Sequence, residues 1–182
     1  MALLAESLVE EWLNREGYFT VRGVRHGVNE IDLLAVRPID GGLHARHIEV
    51  QVSTNPIGYL SALNAEQQAR LSRERNSAAR RTPEDLKTSV TEWVDKKFRS
   101  TAKQSVRDRT WPGLVWNLEF VHGEFRYGEE LQLIREQGIK AIPFLDVLDA
   151  LLHHRKGGYK GGAGSDIAEI LAYHRRGRGP AA

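Results

Sequence analysis

The segment Arg46–Ser53, RHIEVQVS, constrains this chain more than any other. Side chains alternate across a strand, so Ile48, Val50 and Val52 share one face and His47, Glu49, Gln51 and Ser53 share the other. The apolar face must lie on a core. The polar face carries a carboxylate and an amide, in a strand whose composition suits the middle of a sheet. Burying an unpaired carboxylate is costly, so this face calls for a bound cation or a water-filled cleft.

A second segment, Glu30–Val36 (EIDLLAV), supplies a matching carboxylate. Glu30 and Asp32 share a face with Leu34 and Val36, which puts Asp32 at the margin of a buried surface. If the two strands pair as an antiparallel hairpin, Asp32 and Glu49 approach one another. Two carboxylates beside backbone oxygen suit a hard cation, Mg2+ or Mn2+. Such an ion acidifies bound water and binds phosphate oxygen. The plainer alternatives are a turn hydrogen bond for Asp32 and a salt bridge from Glu49 to Arg22 or Arg46.

The rest of the chain reads as alternating helices and strands. Residues 2–16 have helical apolar spacing and stop at Gly17. Tyr18–Gly23 is a short strand, followed by a turn over Val24–Asn29. A polar, basic helix is expected over Leu60–Arg81, with Asn76 and Ser77 as an interruption. Thr82-Pro83-Glu84-Asp85 is a helix start, and Leu86, Val90, Trp93, Val94 and Phe98 follow at helical spacing. Trp111-Pro112-Gly113 is a break. A fourth strand is expected over Leu114–His122, a helix over Glu129–Gln137, a fifth strand over Ile139–Ile142 and a helix over Pro143–His154. The domain reading is one unit over 1–156, a Gly-rich hinge at 157–164, and a short helix with a basic tail over 165–182.

Asp32, then a turn, then Glu49-Val50-Gln51 on the next strand resembles the signature of the PD-(D/E)xK nuclease superfamily. Residues 6–53 are most similar to the pattern of archaeal Holliday-junction resolvases and Mrr-type restriction endonucleases. The resemblance implies an α/β fold with a mixed sheet, a restriction-endonuclease-like core ordered helix–strand–strand–strand–helix–strand, and helices on both sheet faces. It implies metal-dependent DNA endonuclease activity. Asp32, Glu49 and the Val50 carbonyl would hold Mg2+ or Mn2+, and Gln51 would orient the attacking water. Glu6, in the first helix where the family often carries a Glu, would help place a second metal or that water. Its helical phase sets it among Leu3, Val9 and Leu13. The departure is Gln51, where the family usually has Lys. An amide only donates and accepts hydrogen bonds, whereas an ammonium carries charge. A module of the same fold that binds nucleic acid without cutting is the alternative, and a protein-interaction subunit is a third reading.

The charge distribution suits a cation held in one place and a polyanion in another, with a solvated charged helix face as the plainer reading. From Arg70 to Arg109 there are twelve Lys and Arg against six Asp and Glu, whereas the first sixty residues carry eight acidic against five basic. Arg70, Arg73, Arg75, Arg80 and Arg81 form the candidate nucleic-acid-binding surface, through phosphate contacts that weaken with salt. DNA is the expected partner and RNA stays open; the resemblance also leaves a homodimer open, since many nucleases of this fold act as dimers with two sites for two strands. Trp93 has core spacing, and Trp111 is a candidate for base stacking. His153 and His154 point apart on their helix and make poor joint ligands. The absence of cysteine excludes disulfides and thiolate chemistry. The N-terminus lacks the basic region of a signal peptide, and no apolar run reaches membrane-span length, so a cytoplasmic location without membrane partners is expected.

Overall fold

Gly17 ends the first helix and opens the sheet. It takes φ +84°, its N–H donates to the Asn14 carbonyl at 3.0 Å, and Tyr18 N–H donates to the Leu13 carbonyl at 3.0 Å. This closes α1 (Ala2–Arg15) and turns the chain into β1 (Phe19–His26). The computed structural model describes residues 2–27, 29–53, 55–153 and 162–177.

β1, β2 (Asn29–Ile39) and β3 (Gly42–Gln51) form an antiparallel meander. β4 (Trp116–His122) and β5 (Lys140–Pro143) extend it in parallel, giving a five-stranded mixed sheet in the order β1-β2-β3-β4-β5. Parallel neighbours need crossovers. The first contains α2 (Ala65–Leu71), α3 (Pro83–Val94), a π-helical turn (Asp95–Arg99) and α4 (Thr101–Thr110); the second contains α5 (Glu129–Glu136). α6 (Phe144–His153) and α7 (Gly162–Gly177) follow β5.

Both faces of the sheet are covered, as a mixed α/β fold requires. On one, Leu8, Val9 and Leu13 of α1, Val147 and Leu151 of α6 and Ala168 of α7 pack on Leu33, Ile48, Val50 and Val121. On the other, Leu86, Val90, Val94, Phe98 and Ile134 pack on Phe120. Val106 of α4 closes a third cluster with Ile31 and Leu34. β3 is therefore central, with apolar side chains on the α1 face and His47 and Glu49 on the other.

Several expected boundaries move. β1 runs on to His26, so the expected turn shortens, with Gly27 at φ +60°. The helix expected over 60–81 is confined to α2. Asn64 starts it with a capping box to Gln67, and Ser72 ends it at φ 49°. Beyond that the chain is held by its own polar groups: Leu63 N–H donates to the Arg75 carbonyl at 2.9 Å, and Arg73 Nη1 donates to the Arg80 carbonyl at 3.0 Å. α4 has no counterpart in the sequence reading, because its buried face is Lys103, Val106 and Arg107 rather than an apolar stripe. α7 begins at Gly162, so the last three residues of the expected hinge are helical; residues 157–161 and the tail after Gly177 lie outside the described residues. No helix among the described residues is long and apolar enough to cross a membrane.

Candidate functional site

β2 and β3 pair from Ile39↔Gly42 as far as Leu33↔Ile48. The next pair in register would be Asp32 with Glu49, and there the ladder stops. β2 keeps its pairing with β1 down to Asn29, so at this point it parts from β3. The Val50 N–H, left without a strand partner, donates to Asp32 Oδ2 at 2.8 Å. The side chain thus satisfies an orphan backbone donor at the mouth of the split. In an antiparallel ladder a residue's N–H and C=O face the same neighbouring strand. The Val50 carbonyl therefore opens toward the split too.

Glu49 is almost fully buried, at 1% exposure, and is fully engaged. Its Oε1 accepts from Lys103 Nζ at 2.5 Å and lies 3.0 Å from His47 Nε2. Its Oε2 accepts from Lys97 Nζ at 2.9 Å. His47 Nδ1 lies 2.9 Å from Arg107 Nη1, which also donates to the Phe98 carbonyl at 2.8 Å. Arg107 can only donate, so Nδ1 accepts and Nε2–H donates to Glu49, which fixes a neutral imidazole. Burial depresses the His47 pKa, against the raising effect of Glu49. Burial pushes Glu49 up, but the His47 hydrogen bond and the two lysines outweigh it and hold the carboxyl below its ordinary value.

The corner between α3 and α4 delivers both lysines. The π-helical turn carries Lys97 and ends at Ser100, whose extended backbone breaks the helix. The Ser100 hydroxyl then caps α4 by accepting Lys103 N–H at 3.4 Å. Lys97 and Lys103 leave opposite sides of this corner and meet on one carboxylate. Lys103 Nζ also donates to the Glu30 carbonyl.

Asp32 is half-buried and its pKa is raised to about 6. Burial is the main cause and the Glu49 charge the second, with the Val50 N–H opposing both. Glu6 on α1 is 9% exposed. Its pKa is raised by burial first; Arg22 lowers it, and Glu30 and Glu49 raise it further. The Glu6 charge also raises Asp32, as the smallest of the causes acting on it. Asp32, Glu49 and the Val50 backbone therefore lie together at the end of the split, and Glu6 on α1 is near enough for its charge to act on Asp32. Gln51 follows on the Glu49 face, half-buried, in register with His122 of β4.

The salt bridges considered for Glu49 go elsewhere: Arg22 pairs with Glu10 at 3.4 Å and Arg46 with Glu119 at 2.5 Å. Glu30 pairs with Arg25 at 2.7 Å. Lys97, Lys103 and Arg107 were not foreseen as site residues. One signal was available, a helix over 83–98 carrying Lys97 one residue before the core position Phe98.

The candidate arginines separate. Arg75 and Arg80 are exposed, although Arg80 lies 3.6 Å from Glu129. Arg70 is bound to Asp85, and Arg73 is half-buried on the Arg80 carbonyl. Arg81 is a correction: it is 8% exposed, stacks 4.1 Å over the Tyr59 ring and cannot present its charge outward. Trp93 packs on Phe98 and Phe120, whereas Trp111 is exposed. His153 is exposed, and His154 lies outside the described residues.

Among the described residues no three His, Asp or Glu side chains form a ready-made metal cluster. In kind, the donors at the split suit a hard cation: two carboxylates and a carbonyl oxygen. The charge repulsion that raises Asp32 is one that a cation would relieve. Lys97, 35% exposed against 5% for Lys103, is the group on Glu49 with room to yield. No protein-family model, curated protein or solved structure matches this chain.

Proposed function

We propose that this chain is a metal-dependent DNA endonuclease of the PD-(D/E)xK kind, with a restriction-endonuclease-like core. The observation that carries the reading is the meeting of Asp32 and Glu49 where β2 leaves β3, with an ammonium 2.9 Å from Glu49 Oε2. That ammonium, from Lys97, provides the positive charge that Gln51 cannot. A bound Mg2+ or Mn2+ would supply acidified water and neutralise phosphate charge.

The chain's own residues do the rest. Asp32, Glu49 and the Val50 carbonyl hold the cation. His47 and Lys103 fix the Glu49 carboxylate, so its geometry is set before substrate arrives. Gln51, with an amide that both donates and accepts, orients the attacking water. Lys97 faces the developing charge on the phosphate. Glu6, whose burial raises its affinity for a proton, would take one from water. Exposed Arg75 and Arg80 contribute charge-led contact with the DNA backbone.

The test is nicking of supercoiled plasmid with Mg2+ or Mn2+ against a chelator control, for the wild type, Asp32→Asn and Glu49→Gln. Metal-dependent cutting by the wild type that falls by at least about 100-fold in both variants is expected. Cutting that survives in both removes the reading. One observation favours a second reading, a nucleic-acid-binding module that does not cut: both Glu49 oxygens are already held by ammonium groups. Salt-sensitive DNA binding without calorimetric divalent-metal binding would select it.

A further inference from the structure

The two ammonium groups on Glu49 are not equivalent. Lys103 is sealed in, with its side chain 5% exposed. It bridges Glu49 Oε1 and the Glu30 carbonyl, and so ties β3 to β2. Lys97 is 35% exposed and bonds to Glu49 Oε2. Remove Lys97, and Oε1 still has both Lys103 and the His47 N–H. The carboxylate would keep its orientation with Oε2 released. Remove Lys103, and the side chain loses its anchor to the second strand.

Geometry also gives Lys97 somewhere to go. It rises from the π-helical turn beside the Ser100 break, at the outer end of a flexible four-carbon stem. Asp32 and Glu6 lie within electrostatic reach of it. Two ammonium groups therefore share the Glu49 carboxylate at the split, and the less buried cation is the one on the oxygen facing away from the His47–Lys103 cage.

We propose that Lys97 is an exchangeable counter-ion: it occupies Glu49 Oε2 in the metal-free protein, and a divalent cation held by Asp32 and Glu49 displaces it, while Lys103 stays in place. The proposal rests on the metal-dependent reading above and adds to it a built-in competition between a side chain and the metal. Lys97 is in this sense both a placeholder and, once displaced, the cation available to the phosphate.

The experiment is lysine acetylation of the full-length protein, read by mass spectrometry, with and without Mg2+, alongside Mg2+ calorimetry. Lys140, 68% exposed, serves as the internal reference. Lys97 labelling is expected to rise about threefold or more with saturating Mg2+, while Lys103 stays protected and Lys140 is unchanged. The rise should vanish in Asp32→Asn. Lys97→Met should bind Mg2+ about fivefold more tightly than the wild type, the equivalent of removing one competing ion-pair contact. If calorimetry shows Mg2+ binding but Lys97 labelling does not rise, or rises equally in Asp32→Asn, the exchange idea fails and the nuclease reading stands. If neither the wild type nor Lys97→Met binds Mg2+, both fall.

Discussion

Lys103 Nζ lies 2.5 Å from Glu49 Oε1, and the two side chains are 5% and 1% exposed. A pair this dry is expensive to break from one side, because the remaining charge loses its compensation. Lys103→Met should therefore lower unfolding free energy by about 3 kcal/mol. Lys97→Met should cost about 1 kcal/mol or less, since Lys97 is 35% exposed and Glu49 keeps Lys103 and His47 as partners. Urea denaturation at pH 7 measures both, and equal losses would contradict the ranking of the two lysines.

Asp32 gives a pH dependence of opposite sign to the usual acid. Its folded pKa is raised to about 6 from 3.8, so between these values the folded chain binds more protons than the unfolded one. Stability from this group is then greatest below about pH 4 and declines as pH rises toward 6. Asparagine at this position can still accept the Val50 N–H and carries no charge. Asp32→Asn should stabilise the protein by about 1 kcal/mol at pH 8, with the gain shrinking between pH 6 and 4. Denaturation of wild type and variant across pH 4–8 reads this directly; a variant less stable than wild type at pH 8 would refute it.

The arginines should divide by function. Arg75→Ala and Arg80→Ala, both exposed, should weaken DNA binding and flatten its salt dependence, each by about one counterion in the slope. Arg81→Ala should instead cost about 2 kcal/mol of stability, because its guanidinium is buried on Tyr59. Fluorescence anisotropy over a salt series, with melting curves for each variant, separates the two outcomes.

Gly164 lies where α7 crosses α1. A Cβ there would meet the Ser7 backbone carbonyl and sit 2.8 Å from Glu11 Cβ. Alanine ordinarily favours a helix by about 1 kcal/mol over glycine. Here the clash should reverse the sign, so that Gly164→Ala lowers the melting temperature by several degrees. An unchanged or raised melting temperature would show that α7 can shift off α1 without loss.

What could be read from the residues followed local periodicity. RHIEVQVS has period 2, with every even-numbered residue from Ile48 to Val52 apolar, and it folds as the central strand with Glu49 on the polar face. Asp32 and Glu49 could be placed opposite each other because a hairpin register follows from two strands and a short turn. The same logic fails where burial is polar. Lys103 and Arg107 look like solvent-facing charges on any helical projection, yet both are buried because they have one carboxylate and one imidazole to meet. Arg81 reads as one of a basic run and turns inward because Tyr59 offers it a ring.

Sequence by itself determined the strand and helix order of residues 2–53, the two faces of β3 and the acidic pair facing across the hairpin, since each depends on alternation over neighbouring residues. Only tertiary structure decided that Glu49 is caged by Lys97 and Lys103. Those residues are brought to it by a helical corner more than forty positions along the chain, and the attraction of unlike charges in a dry interior carries no periodic signal in the sequence.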